Sequence, residues 1–129
     1  MADYLSKFHE SLARKDVFSV TWELVPGRGA FEKDQQEVIE GAEKAAKGGK
    51  IHALTLTDNP GGNPAISAEF LGAEVNRLGI EPLVHFTCKD KNRNQLEALL
   101  HGLERAQVRN LLVMTGDYTY SGYKGRSKP

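Results

Sequence analysis

Four apolar, β-prone runs in this 129-residue chain each end in a small knot of polar residues. The knots are Thr21-Trp22-Glu23, Thr55-Leu56-Thr57-Asp58-Asn59, His85-Phe86-Thr87-Cys88 and Thr115-Gly116-Asp117. They recur roughly every thirty residues, the length of one strand-helix unit. Parallel α/β proteins assemble their sites at the carboxyl ends of strands, so the chemistry is expected in these knots.

Helical patterns fill the gaps between the runs. Tyr4, Leu5, Phe8 and Leu12 make one stripe of an N-terminal amphipathic helix. Val17 to Val25 is β-branched and aromatic and is stopped by Pro26-Gly27, which reads as a buried strand. Val38, Ile39, Ala42, Ala45 and Ala46 give helical period from Lys33 to Lys47, with Gly48-Gly49 as a C-terminal stop. Ile51 to Thr57 reads as a second strand and Ile66 to Leu78 as a helix ended by Gly79. Glu81 to Thr87 is a third strand, Asn94 to Arg105 a third helix of this series, and Asn110 to Met114 a fourth strand. Everything after Asp117 is loop-like.

Strands alternating with helices, joined by connections too long for hairpins, imply parallel strands and right-handed crossovers. The class is α/β. A dinucleotide-binding sheet should carry G-x-G-x-x-G after its first strand, but Gly27-Arg28-Gly29 is followed by Glu32 where the third glycine belongs. Gly48-Gly49-Lys50 precedes a strand, whereas a P-loop follows one. The expectation is therefore a parallel (β/α)8 TIM barrel. A complete barrel needs about 250 residues, so residues 1–129 are expected to form one domain holding the first four βα units after an N-terminal helix. Unpaired edges on strands one and four would need more chain, or another chain, to cover them. The competing architecture is a small flavodoxin-like sheet closed by the N-terminal helix.

Composition excludes several classes. Aliphatic and aromatic residues make up 40% and charged residues 26%, an ordinary globular balance. Seventeen basic and seventeen acidic side chains cancel, so no global field draws the chain to nucleic acid or to an anionic membrane. Cys88 is the only cysteine, which rules out an intrachain disulfide and a multi-cysteine zinc site. His9, His52 and His101 show no ligand spacing, and no metal site is read. Met1 to Lys15 is unlike a signal peptide, and no apolar run approaches the length of a membrane span. A soluble, cytoplasmic protein is the expectation.

Each knot offers candidate chemistry. Glu23, between Trp22 and Leu24, would be desolvated on a buried strand, and a carboxylic acid kept protonated near neutrality is a general acid. The competing reading is a strand-end Glu paired with a neighbouring Arg or Lys. His85 can donate to a ligand oxygen or bond to nearby backbone. Gly116 before Asp117 would allow close approach of a flat or phosphorylated ligand, while an Asx-turn or helix cap also explains the aspartate. Thr57, Asp58 and Asn59 can form a hydrogen-bonding ledge, and Asp-Asn-Pro-Gly-Gly is equally a turn.

The order and spacing of the knots resemble the N-terminal half of methylenetetrahydrofolate reductases. The segments concerned are Phe18 to Pro26, Leu54 to Asn59, Pro82 to Cys88 and Leu112 to Asp117, with His85-x-Thr87-Cys88 and Gly116-Asp117 the most specific. The resemblance implies a flavoprotein barrel that passes a hydride through FAD to 5,10-methylenetetrahydrofolate in one-carbon metabolism and methionine biosynthesis. By position, Glu23 would be the catalytic glutamate that protonates the folate and helps open its ring to an iminium. His85 would contact the flavin, and Thr55 and Asp58 would line the nicotinamide and flavin. Thr115, Gly116 and Asp117 would run along the flavin's edge, Asp117 also acting in catalysis by tuning the ring electrostatically.

The chain departs from the common family pattern at Leu24-Val25-Pro26-Gly27, at Thr115 and at Leu56. These departures leave the electron donor open between NADH, NADPH and a partner protein. Folate is the implied substrate, and a homo-oligomer or partner completing the barrel is the implied assembly. A fragment of this length is expected to have little activity by itself. Two other classes stay open: a flavin-free folate-binding methyltransferase-type barrel, and a non-catalytic half-barrel assembly subunit.

Overall fold

Helix and strand signals resolve into one sheet with helices packed on it. The computed structural model describes residues 6–117; Tyr4, Leu5 and the loop expected after Asp117 lie outside that range. The elements run α1 (Lys7–Ala13), β1 (Thr21–Leu24), α2 (Lys33–Gly48), β2 (Ala53–Leu56), a 3₁₀ turn at Pro60–Gly62, α3 (Ala68–Arg77), β3 (Pro82–Thr87), α4 (Arg93–Arg105) and β4 (Asn110–Met114). The three long helices carry local start or stop signals. Ser67 accepts from the Phe70 amide at the head of α3 and Asn92 from the Gln95 amide at the head of α4. Gly49 ends α2 in the left-handed region at φ 64° with its N–H on the Ala45 carbonyl, a conformation in which glycine escapes the Cβ penalty.

All four strands are parallel and lie in the order β1-β2-β3-β4. A flavodoxin-like sheet would place its second strand outside its first, so the competing architecture is excluded. Consecutive parallel neighbours are the arrangement of successive units in a singly wound sheet and are consistent with part of a TIM barrel.

Strand alternation divides the sheet into two faces. Leu54 and Leu56 of β2 and Val84 and Phe86 of β3 join Val38, Ala42 and Ala45 of α2, Leu71 and Val75 of α3 and Leu103 of α4 in one core. Leu54, Leu56, Leu71, Val75 and Val84 are fully buried, and each side chain taken from water contributes about 1.5–3 kcal/mol. Gly72 lets α3 lie close on the sheet, for a Cβ there would sit 2.5 Å from Val84 Cγ2. The opposite face receives the alternate positions, among them Glu23, Thr55, His85 and Thr87.

Two expectations are corrected. The first strand is not buried. It spans only Thr21–Leu24 and is mostly exposed, because β1 has a sheet neighbour on one side only among the described residues. The N-terminal stripe is only partly used: Phe8 is buried but Leu12 is 61% exposed, and the second buried position of α1 is Ser11. The helix is held by polar ties instead. Glu81 accepts from the Lys7 and Phe8 amides at 2.6 and 3.2 Å, and Asn110 bonds both Glu81 and Ser6. These bonds dock α1 beside the amino ends of β3 and β4.

Candidate functional site

The site grows from the face that the helices leave uncovered. Parallel register sets Glu23 of β1 beside Thr55 of β2, and His85 of β3 beside Leu112 of β4. Continuing β2 by one residue past the last pair, Leu56 with Val84, brings Thr57 to the level of His85. The structure thus gathers Glu23, Thr55, Thr57 and His85 on one face near the carboxyl ends of the strands.

Their burial differs. Thr55, Thr57, His85 and Thr87 are buried. Glu23 is exposed, which corrects the expectation of a buried carboxyl flanked by Trp22 and Leu24. Those two neighbours point the other way and cover Gly41 of α2. Among the described residues, three buried side-chain atoms have no hydrogen-bond partner: Gln35 Oε1, Thr57 Oγ1 and His85 Nε2. Two of the three lie side by side on this face. A buried polar atom left unpaired costs about 1–3 kcal/mol, and such groups in a folded protein call for a partner.

Asp58 stands at the rim. Its Oδ2 accepts from Thr87 Oγ1 at 2.6 Å, from the Thr87 amide at 3.3 Å and from Lys91 Nζ. Lys91 Nζ also reaches Glu69 Oε1 at 3.1 Å, and Glu69 Oε2 accepts from Ser67, the cap of α3. The three charged side chains are 4–9% exposed, and the Lys91 ammonium lies 5.4 Å from the centre of the Phe86 ring. Burial opposes the ammonium charge, but the hydrogen bonds and charges of Asp58 and Glu69 outweigh it and raise the Lys91 pKa above the ordinary lysine value.

The end of β4 supplies the last group. Gly116 has φ 94°, and a Cβ there would meet Lys89 Cβ at 2.8 Å and Thr87 Cβ at 3.3 Å. Its close approach is therefore to the loop after β3, where the sequence suggested room for a ligand. Asp117 is exposed and accepts from the Gly61 amide at 3.2 Å, tying the end of β4 to the turn after β2. The bond joins two strand-helix units and is neither the Asx-turn nor the helix cap that the sequence offered as the alternative. Thr115 is exposed, and its carbonyl accepts from the Cys88 thiol at 3.6 Å. In the Asp58–Pro64 loop, Asn59 adopts φ 45° and accepts from the Ala65 amide, so the turn reading holds there. His52 bonds the Val20 amide through Nδ1 and takes no part in the site.

Sequence reasoning missed Lys91 and Glu69. Neither carries a local signal, because the lysine that joins Asp58 and Glu69 comes from the next strand-helix unit.

Consecutive parallel strands with polar atoms gathered near their carboxyl ends make this a singly wound α/β protein whose candidate site lies there. A sequence model of methylenetetrahydrofolate reductase matches residues 7–128. The chain belongs to that family, an oxidoreductase family of one-carbon folate metabolism. A comparison with curated proteins found no match. No helix among the described residues is long and apolar enough to cross a membrane.

Proposed function

We propose that the protein takes part in the flavin-dependent reduction of 5,10-methylenetetrahydrofolate to 5-methyltetrahydrofolate. The observation that carries this reading is a pair of buried atoms with no partner among the described residues, Thr57 Oγ1 and His85 Nε2, near the carboxyl ends of the strands, where a barrel of this kind holds its ligands. A hydroxyl and an imidazole nitrogen fit the ring nitrogens and carbonyl oxygens of a flavin, since each can donate or accept. FAD, when bound, would supply hydride transfer between a donor and the folate.

The residues of the chain divide the remaining work. His85 and Thr57 would hold the flat ring, and Thr55, two residues earlier on β2, lines the same face. Asp117 sets a negative charge at the end of β4 while its Oδ2 stays tied to Gly61. That charge opposes build-up of negative charge on a reduced ring. Glu23, exposed beside Thr55, is the group that would pass a proton to the folate nitrogen as the ring opens. NADH, NADPH or a partner protein supplies electrons, and further chain or a partner completes the barrel and the folate pocket. A cytoplasmic setting fits this role.

The test is a visible absorption spectrum of the purified protein after mixing with FAD, with and without a methyl-folate. Bound flavin gives a shifted, structured band that responds to folate. A colourless protein that still binds folate would overturn the flavin reading in favour of a methyltransferase-type barrel.

A further inference from the structure

The backbone ladder between β2 and β3 stops at Leu56 and Val84, whereas β3 runs three residues further with β4 alone. Thr57 and His85 lie immediately beyond that last pair. With no ladder bonds there, the separation of their two strands must be held by something else. One side chain does this. Asp58 Oδ2 takes the Thr87 amide at 3.3 Å, in place of a ladder carbonyl, together with the Thr87 hydroxyl at 2.6 Å. A single carboxylate oxygen therefore joins the end of β2 to the end of β3.

That carboxylate is 4% exposed, as is fitting only for a charge with a partner. The partner is Lys91, itself 9% exposed, which reaches over the Phe86 ring to Asp58 and to Glu69 at the head of α3. Glu69 is fixed in turn by Ser67. One ammonium thus ties together the loop after β3, the end of β2 and the first turn of α3.

We infer that Lys91 is a positioning residue for the proposed flavin site, acting through Asp58 and Thr87 to set the distance between Thr57 and His85. Asp58 is then a brace of the site and not itself a contact to the flavin or nicotinamide. Arginine keeps the positive charge, whereas methionine keeps the stem and leaves two buried carboxylates without a cation. This inference rests on the flavin reading only for its ligand readout.

The test compares Lys91→Met, Lys91→Arg and Thr87→Val with the wild-type chain. Two quantities are read: FAD affinity from quenching of flavin fluorescence, and the His85 ring resonances by NMR without ligand. Lys91→Met is expected to weaken FAD binding by about tenfold or more and to displace the His85 resonances. Lys91→Arg should restore both to near wild type. Thr87→Val, which preserves volume and every charge, should move both in the same direction by a smaller amount; it carries the test alone if Lys91→Met does not fold. A Lys91→Met protein that melts at lower temperature yet keeps wild-type affinity and resonances overturns the inference, as does a Thr87→Val protein unchanged in both. Failure of the wild-type chain to bind FAD overturns the flavin reading alone, and the His85 resonances then decide whether the brace exists.

Discussion

The seat of α3 on the sheet rests on one missing methyl group, and that makes a sharp test of the packing. An alanine at position 72 would set its Cβ 2.5 Å from Val84 Cγ2 and 3.7 Å from Pro82 Cβ. Val84 and Pro82 are both fully buried, so neither has space to retreat. Replacing a mid-helix glycine by alanine ordinarily stabilises by about 0.5–1 kcal/mol. Overpacking of this kind costs about 1–3 kcal/mol, so the sum is neutral to destabilising by up to roughly 2.5 kcal/mol. The sign should depend on Val84. Val84→Ala removes the obstructing methyl at a cost of roughly 2 kcal/mol, and in that background Gly72→Ala should become neutral or stabilising. Urea unfolding of the four proteins closes the cycle, with an expected coupling of about 1–3 kcal/mol. Gly102→Ala is the control, since nothing lies within 4 Å of a Cβ there; it should stabilise by about 0.5–1 kcal/mol. If Gly72→Ala changes stability equally in both backgrounds, within about 0.5 kcal/mol, the close contact between α3 and β3 is refuted.

Thr57→Val removes a buried hydroxyl that has no partner among the described residues, so it should leave thermal stability unchanged or raise it while weakening FAD binding; lowered stability with intact binding would count against a ligand at that atom. Glu23→Gln should spare reduction of the flavin but lower folate turnover by about 10²–10⁴-fold, measured by separating the two half-reactions in rapid mixing. Asp117→Asn retains an oxygen for the Gly61 amide and removes only charge, so the flavin potential should shift upward, and an unchanged potential would displace Asp117 from the ring. The Lys91 pKa lies above its ordinary 10.5 in the fold, so its contribution to stability is fully present below that value and is lost as pH rises through the raised one. Melting temperature against pH should accordingly fall on the alkaline side in wild type and less in Lys91→Arg.

The sequence by itself determined a good deal. Periodicity located all four strands and three long helices to within a few residues, because each element must bury a face and the spacing of apolar residues records which one. Alternation of strands with helices settled the parallel α/β class, and the polar knots marked the carboxyl ends where the candidate site lies. The failure at Glu23 shows where that reasoning stops. An apolar run reports that a strand can be buried, but whether it lies inside or at the edge of a sheet depends on neighbours that the run does not contain. Strand order, which separated consecutive units from a flavodoxin-like sheet, belongs to the same category. Only the tertiary structure disclosed that Asp58 is engaged by Thr87 and Lys91, that Gly116 approaches Lys89, and that Thr57 Oγ1 and His85 Nε2 have no partner among the described residues. Hydrogen bonds and buried charges between residues some thirty positions apart leave no periodic trace in a sequence, since they are settled by register between strands and not by the pattern within one.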